Sequence, residues 1–184
     1  MLAPNPRICS LLCLTAPIVF SVLWVLSATI DGDWTFGEDS LSRMGISENR
    51  IAAALFNGGC VFVGAMGFIV GIGIMSGKDP LSKPEGIAYS AGMVFLMLVG
   101  VFPMDLGTIH NTVATTFGVF VFIAILLASA VDYRNRDHPE IDVIVLAFTV
   151  IMLATQRFEV WEPLLVIATM VWTAVLGLKM RLSA

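Results

Sequence analysis

The sequence predicts an all-α fold, a polytopic membrane bundle of six transmembrane helices with both termini on the cytoplasmic side. Three observations carry that expectation. Of 184 residues, 58% are hydrophobic and 13% are charged, where a soluble domain carries about 25% charged and about 45–50% apolar residues. The mean hydropathy is +0.91, and the apolar residues lie in long runs, more than one compact core can hide from water. Lysine and arginine are distributed unequally between the breaks in those runs. The reading gives a single integral membrane domain over residues 1–184.

The six spans fall approximately at 9–30, 51–75, 86–102, 109–131, 143–155 and 163–178. A helix rises about 1.5 Å per residue, so about 20 residues cross a hydrocarbon core of about 30 Å. Spans one, two and four meet that length outright. The third and sixth must recruit flanking residues, and the fifth is the shortest, bounded by Asp142 and Gln156. A re-entrant fifth segment is the alternative. The first run follows Arg7 like a signal peptide, but Cys9 to Ile30 is too long for an h-region and no convincing small-x-small cleavage site follows it, so a retained helix is expected.

Orientation comes from the charges. With the N-terminus inside, the inner segments hold Arg7, Lys78, Lys83, Arg134, Arg136, Lys179 and Arg181, while the outer loops hold Arg43, Arg50 and Arg157. That excess places both ends in the cytoplasm and the chain in the cell membrane. Trp34 and Trp161 fall at outer boundaries, where aromatic belts form. Pro163 suits the first turn of span six, with Glu162 beside it in the electropositive start of that helix. The long outer loop, Asp31 to Arg50, contains Asp39-Ser40-Leu41-Ser42-Arg43, which reads as the start of a short helix capped by Asp39 or Ser40.

Helices in lipid associate through close packing and polar contacts. In span two, Ala53, Asn57, Cys60, Gly64, Gly67 and Gly71 recur at intervals of four and three, which lines small residues down one face. The interface this predicts lies within the chain, with a homo-oligomer contact as the alternative. Thr108, Thr112, Thr115 and Gly118 form a similar stripe on span four and are expected to face protein too.

The net charge of −4 is small and gives a nucleic-acid partner no support. Cys9, Cys13 and Cys60 lie inside apolar runs, which fits buried small hydrophobes, with lipidation or redox chemistry as the alternative. No zinc spacing, bis-histidine pair, P-loop or G-x-S-x-G is present, so no metal or cofactor is expected. The polar residues at the membrane edge gather on the outer side: Asp39, Arg43, Asn57, Asp105, His110, Asn111, Arg157, Glu159 and Glu162. The inner ends carry ordinary Lys/Arg anchors.

Two readings of that cluster stand side by side. In the structural one, Asp105 caps span four, His110 bonds a carbonyl, and Arg157 pairs with a nearby Glu. In the functional one, a polar pocket opens to the outer leaflet. Asp105 and His110 form its acid/base pair, Asn57 and Asn111 donate hydrogen bonds, and Arg43 or Arg157, with Asp39 and Glu159 nearby, holds a lipid headgroup or small amphiphile. A membrane-embedded enzyme acting on a lipid-type substrate and a structural subunit of a membrane complex are the competing classes.

Leu41-Ser42-Arg43-Met44-Gly45, Leu55-Phe56-Asn57-Gly58-Gly59, and Gly100-Val101-Phe102-Pro103-Met104-Asp105 leading to His110-Asn111-Thr112-Val113-Ala114 resemble the prokaryotic domain-of-unknown-function family numbered 998. The likeness covers nearly the whole chain. Met44 stands where that pattern has Leu, and Arg157-Phe158-Glu159 echoes its later Arg element only loosely. The resemblance implies six membrane helices, carries no activity, and draws attention to Asn57, Asp105, His110 and Asn111.

Overall fold

The computed structural model describes residues 4–182. Six helices follow one another: α1 Pro6–Asp31, α2 Arg50–Ile74, α3 Ser82–Val101, α4 Thr108–Asn135, α5 Glu140–Thr155 and α6 Phe158–Leu182. Two short 3-10 turns, Leu41–Ile46 and Met104–Leu106, sit in the loops before α2 and α4. Each helix packs on the next, and α6 returns against α1. One end of the bundle gathers the start of α1 and the end of α6, where Ser10 Oγ donates to Gly177 O at 2.8 Å; this is the termini end. The other, the loop end, holds the long segment between α1 and α2.

Local chemistry sets the boundaries. The Asn5 side chain accepts from Arg7 N at 2.9 Å with Pro6 at the first helical position, an N-cap followed by proline. Gly32 stops α1 in the left-handed region at φ 79°, which glycine adopts without a Cβ clash. Asn49 caps α2 through Ile51 N at 3.0 Å. Pro103 closes α3 after Phe102.

Five helices, all but α5, are long and apolar enough to cross a membrane. With 16 residues, α5 rises only about 24 Å. The helices otherwise outrun the apolar runs. α3 begins at Ser82 and brings Glu85 into its first turn; α5 takes in Asp142; α6 begins at Phe158. Pro163 is therefore inside α6 and fully buried, not in its first turn, which belongs to Glu159.

The small stripe of α2 meets α3. A Cβ at Gly64 would lie 2.6 Å from Met97 Cγ and 2.8 Å from Met93 O, and one at Gly71 would lie 2.9 Å from Ser90 N. The two backbones approach as closely as the missing side chains allow, so this interface lies within the chain. The stripe of α4 does the opposite. Thr108, Thr112, Thr115 and Gly118 are exposed, and a Cβ on Gly118 meets nothing within 4 Å. The face that α4 buries is His110, Val113, Val121, Ala124, Ile125 and Ala128. Thr112 needs no protein neighbour, since it returns its hydroxyl to Thr108 O at 2.8 Å, and Thr116 beside the stripe does the same to Thr112 O at 2.7 Å.

Two apolar clusters fill the bundle. One, nearer the termini end, centres on Tyr89 and Trp172, whose rings lie 5.8 Å apart. The other, at the loop end, packs Phe20, Phe56, Cys60, Val99 and Val113 around Leu41 and Met44. The three cysteines are free and buried, which fits their reading as small hydrophobes.

Candidate functional site

The loop end is organised around the turn Leu41–Ile46, which dips into the bundle until Met44 is 0% exposed. A 3-10 turn leaves its first amide groups without intrahelical partners. Neither Asp39 nor Ser40 caps them. Asp39 Oδ2 accepts from Thr35 N at 3.0 Å and Arg43 Nη1 at 3.1 Å, and Ser40 makes no side-chain cap. The cap comes from α6: Glu162 Oε2 accepts from Leu41 N at 2.8 Å and Oε1 from Ser42 Oγ at 2.7 Å. At the other end of the turn, Asn57 Nδ2 of α2 donates to Gly45 O at 2.8 Å. Trp34 Nε1 donates to Ser40 O at 2.9 Å from outside. Gly100 of α3 abuts the Asn57 backbone, with Cys60 Cβ 3.1 Å from where its own Cβ would be.

His110, 4% exposed, stands in the first turn of α4 with Nδ1 2.7 Å from Phe102 O. A carbonyl can only accept, so Nδ1 carries a proton, and in the neutral ring Nε2 is the acceptor. Glu162 lies within electrostatic reach of the ring. Asp105 is exposed in the Met104–Leu106 turn, and no hydrogen bond joins it to His110 among the described residues. Nor does Asp105 cap α4, whose cap position is Gly107 at φ 55°.

The other candidate residues scatter. Asn111 is exposed on the outer face of α4, in a shallow groove of about 400 Å³ with Thr108, Thr112, Thr115 and Thr116. Arg157 Nη2 reaches Gly37 O at 3.4 Å, and Glu159 makes no hydrogen bond among the described residues. Arg43 lines a separate cavity of about 450 Å³ between the end of α1 and the long loop, with Asp31, Asp33 and Glu48 among its walls. Its Nη1 is 3.8 Å from Asp31 Oδ2, a buried oxygen with no hydrogen-bond donor among the described residues. The structure thus brings Ser42, Gly45, Asn57, Glu162 and His110 together under the turn and leaves Arg43 facing the cavity beside it. Asp31 carries no sequence signal of its own, and Ser42, although part of the Leu41–Gly45 element, gives no hint of its partner Glu162, which lies 120 residues away.

The termini end departs from expectation. Instead of ordinary anchors it holds a buried network of Glu85, Asp132, Asp142 and Lys179. Trp172, apolar in pattern, is 1% exposed and donates Nε1 to Asp142 Oδ1 at 2.7 Å.

Long apolar helices joined end to end around a lipid-compatible surface define an integral, multi-pass helical membrane protein. A family described as "Protein of unknown function (DUF998)" matches residues 14–179, and the chain belongs to that family. No curated protein and no solved structure matches it.

Proposed function

We propose that this protein crosses the cell membrane six times, with both ends in the cytoplasm, and binds a lipid headgroup or small amphiphile in the loop-end cavity. The charge asymmetry supports the orientation. The sixth crossing is supported by the placement of α5: Asp142 near its start contacts Lys179 at the termini end, and Arg157 just beyond its last turn reaches Gly37 at the loop end.

One observation carries the ligand reading. Asp31 lines a cavity of about 450 Å³, its buried Oδ2 has no hydrogen-bond donor among the described residues, and Arg43 is its neighbour at 3.8 Å. Buried carboxylate oxygens ordinarily find donors. An ammonium group supplies them, and the Arg43 guanidinium suits a phosphate. A zwitterionic phospholipid headgroup offers both, and Ile30 and Ile46 on the cavity wall suit its glycerol and first methylenes. In this reading Asn57 and Glu162 hold the turn that presents Arg43, and His110 ties the start of α4 to the end of α3. An acid/base role for Asp105 and His110 would require the Met104–Leu106 turn to swing inward.

The test is native mass spectrometry on protein stripped of co-purified lipid and then given a short-chain phosphatidylethanolamine. Wild type should retain the lipid, and Arg43→Ala combined with Asp31→Asn should lose it while keeping the helical circular-dichroism spectrum. Wild type that retains no lipid, or a double variant that retains as much, overturns the proposal.

A further inference from the structure

Four helices contribute one ionisable side chain each to the interior of the termini end. Lys179 of α6 contacts Asp132 of α4, lies 3.3 Å from Asp142 Oδ2 of α5, and donates to His138 O at 2.9 Å. Asp142 is 2% exposed and also accepts from Trp172. Glu85 of α3 is 5% exposed, and its carboxyl has neither a hydrogen-bond donor nor an ion-pair partner among the described residues. The charged groups acting on it are Asp132, Asp142, Lys179 and Asp79. Arg134 pairs with Asp79 at 3.0 Å and so offsets much of that carboxylate's field, which leaves Asp132, Asp142 and Lys179 as the charges that matter most to Glu85.

The charges do not balance. Three carboxylates of the network against one ammonium leave a net of two negative charges (−3 + 1) where water is scarce. Like charges in a desolvated site cannot all ionise together. Asp132 and Asp142 each have Lys179, and Asp142 has the indole as well. Glu85 has no such donor, so the missing positive charge belongs there. No group of three or more acidic, His or Cys residues among the described ones has the geometry to hold a metal ion, which favours the smallest cation.

We propose that Glu85 is a proton-binding site, its carboxyl neutral at neutral pH and titrating in exchange with water at the termini end. On binding, the proton adds to a Glu85 carboxylate oxygen as an O–H bond; on release it passes to water, and no electrons move. The site stands apart from the loop-end cavity and does not depend on what that cavity binds.

Two readouts test it on the intact protein in detergent or lipid. In infrared spectra, the carbonyl stretch of a protonated carboxylic acid should be present at neutral pH, fade as the buffer is made alkaline, and be missing from Glu85→Gln. A hydrophobic carbodiimide, which adds the protonated carboxyl across its C=N bond, should label Glu85 in the unmodified chain. Peptide mass spectrometry should find that label falling as pH rises and indifferent to sodium at constant pH. This second readout needs no variant, so a misfolded Glu85→Gln leaves it intact. Absence of both signals, labelling of Asp132 or Asp142 in place of Glu85, or protection by sodium would overturn the proposal, the last in favour of a metal cation.

Discussion

Glu162 reaches back 120 residues to Ser42 and caps a turn that has no cap of its own. Removing it strands two buried donors, Leu41 N and Ser42 Oγ. Leaving a buried polar group unpaired costs about 1–3 kcal/mol. Asn57 contributes a single bond to Gly45 O, and side-chain hydrogen bonds between membrane helices average about 0.6 kcal/mol. Thermal melting in detergent should therefore fall clearly for Glu162→Ala and only slightly for Asn57→Ala. Glu162→Gln should fall between Glu162→Ala and wild type, because its amide oxygen still accepts one of the two bonds. A Glu162→Ala protein that melts with wild type would mean that packing around Met44, not the cap, holds the turn.

At the scale of helices, α2 and α4 show what small residues do in two settings. Gly64 lies against the α3 backbone, with Met93 O 2.8 Å from the position of a Cβ. Overpacking a tight interface costs about 1–3 kcal/mol, and no hydrophobic term in lipid presses separated helices together again. Gly64→Leu should lower the melting temperature markedly. Gly118→Ala is the matched control: a Cβ there meets nothing within 4 Å, and alanine is the better helix former by about 1 kcal/mol. Its melting temperature should match or exceed wild type. Equal melting of Gly64→Leu and wild type would contradict the close α2–α3 contact.

The whole molecule is a ring in which α5 is the short member, anchored at one end through Asp142 and followed at the other by Arg157. The orientation proposed for that ring can be tested with single cysteines in a background lacking Cys9, Cys13 and Cys60. Positions must be exposed to report, so Ser40 and Ser82, both buried, are unsuitable. Cysteine at Glu38 or Leu106 should react with an impermeant reagent added outside intact cells. Cysteine at Lys78 or Asn135 should react only after permeabilisation. The reverse pattern would invert the bundle in the membrane.

The sequence by itself determined the class of fold, because long apolar runs have few stable solutions in lipid and the breaks between them are written in Pro, Gly and charge. It also determined the α2 interface, since glycines at intervals of three and four project to one face whatever lies opposite. It could not decide which way the α4 stripe turned, because threonines that bond their own helix satisfy themselves facing lipid or protein alike. Nor could it find the Glu162 cap or the Glu85 network, whose members are separated by up to 121 residues and meet only when α6 closes against α1 and α5. Local pattern fixes what a helix can bury; which distant carboxylate arrives beside it is a property of the ring, and only the tertiary structure decided it.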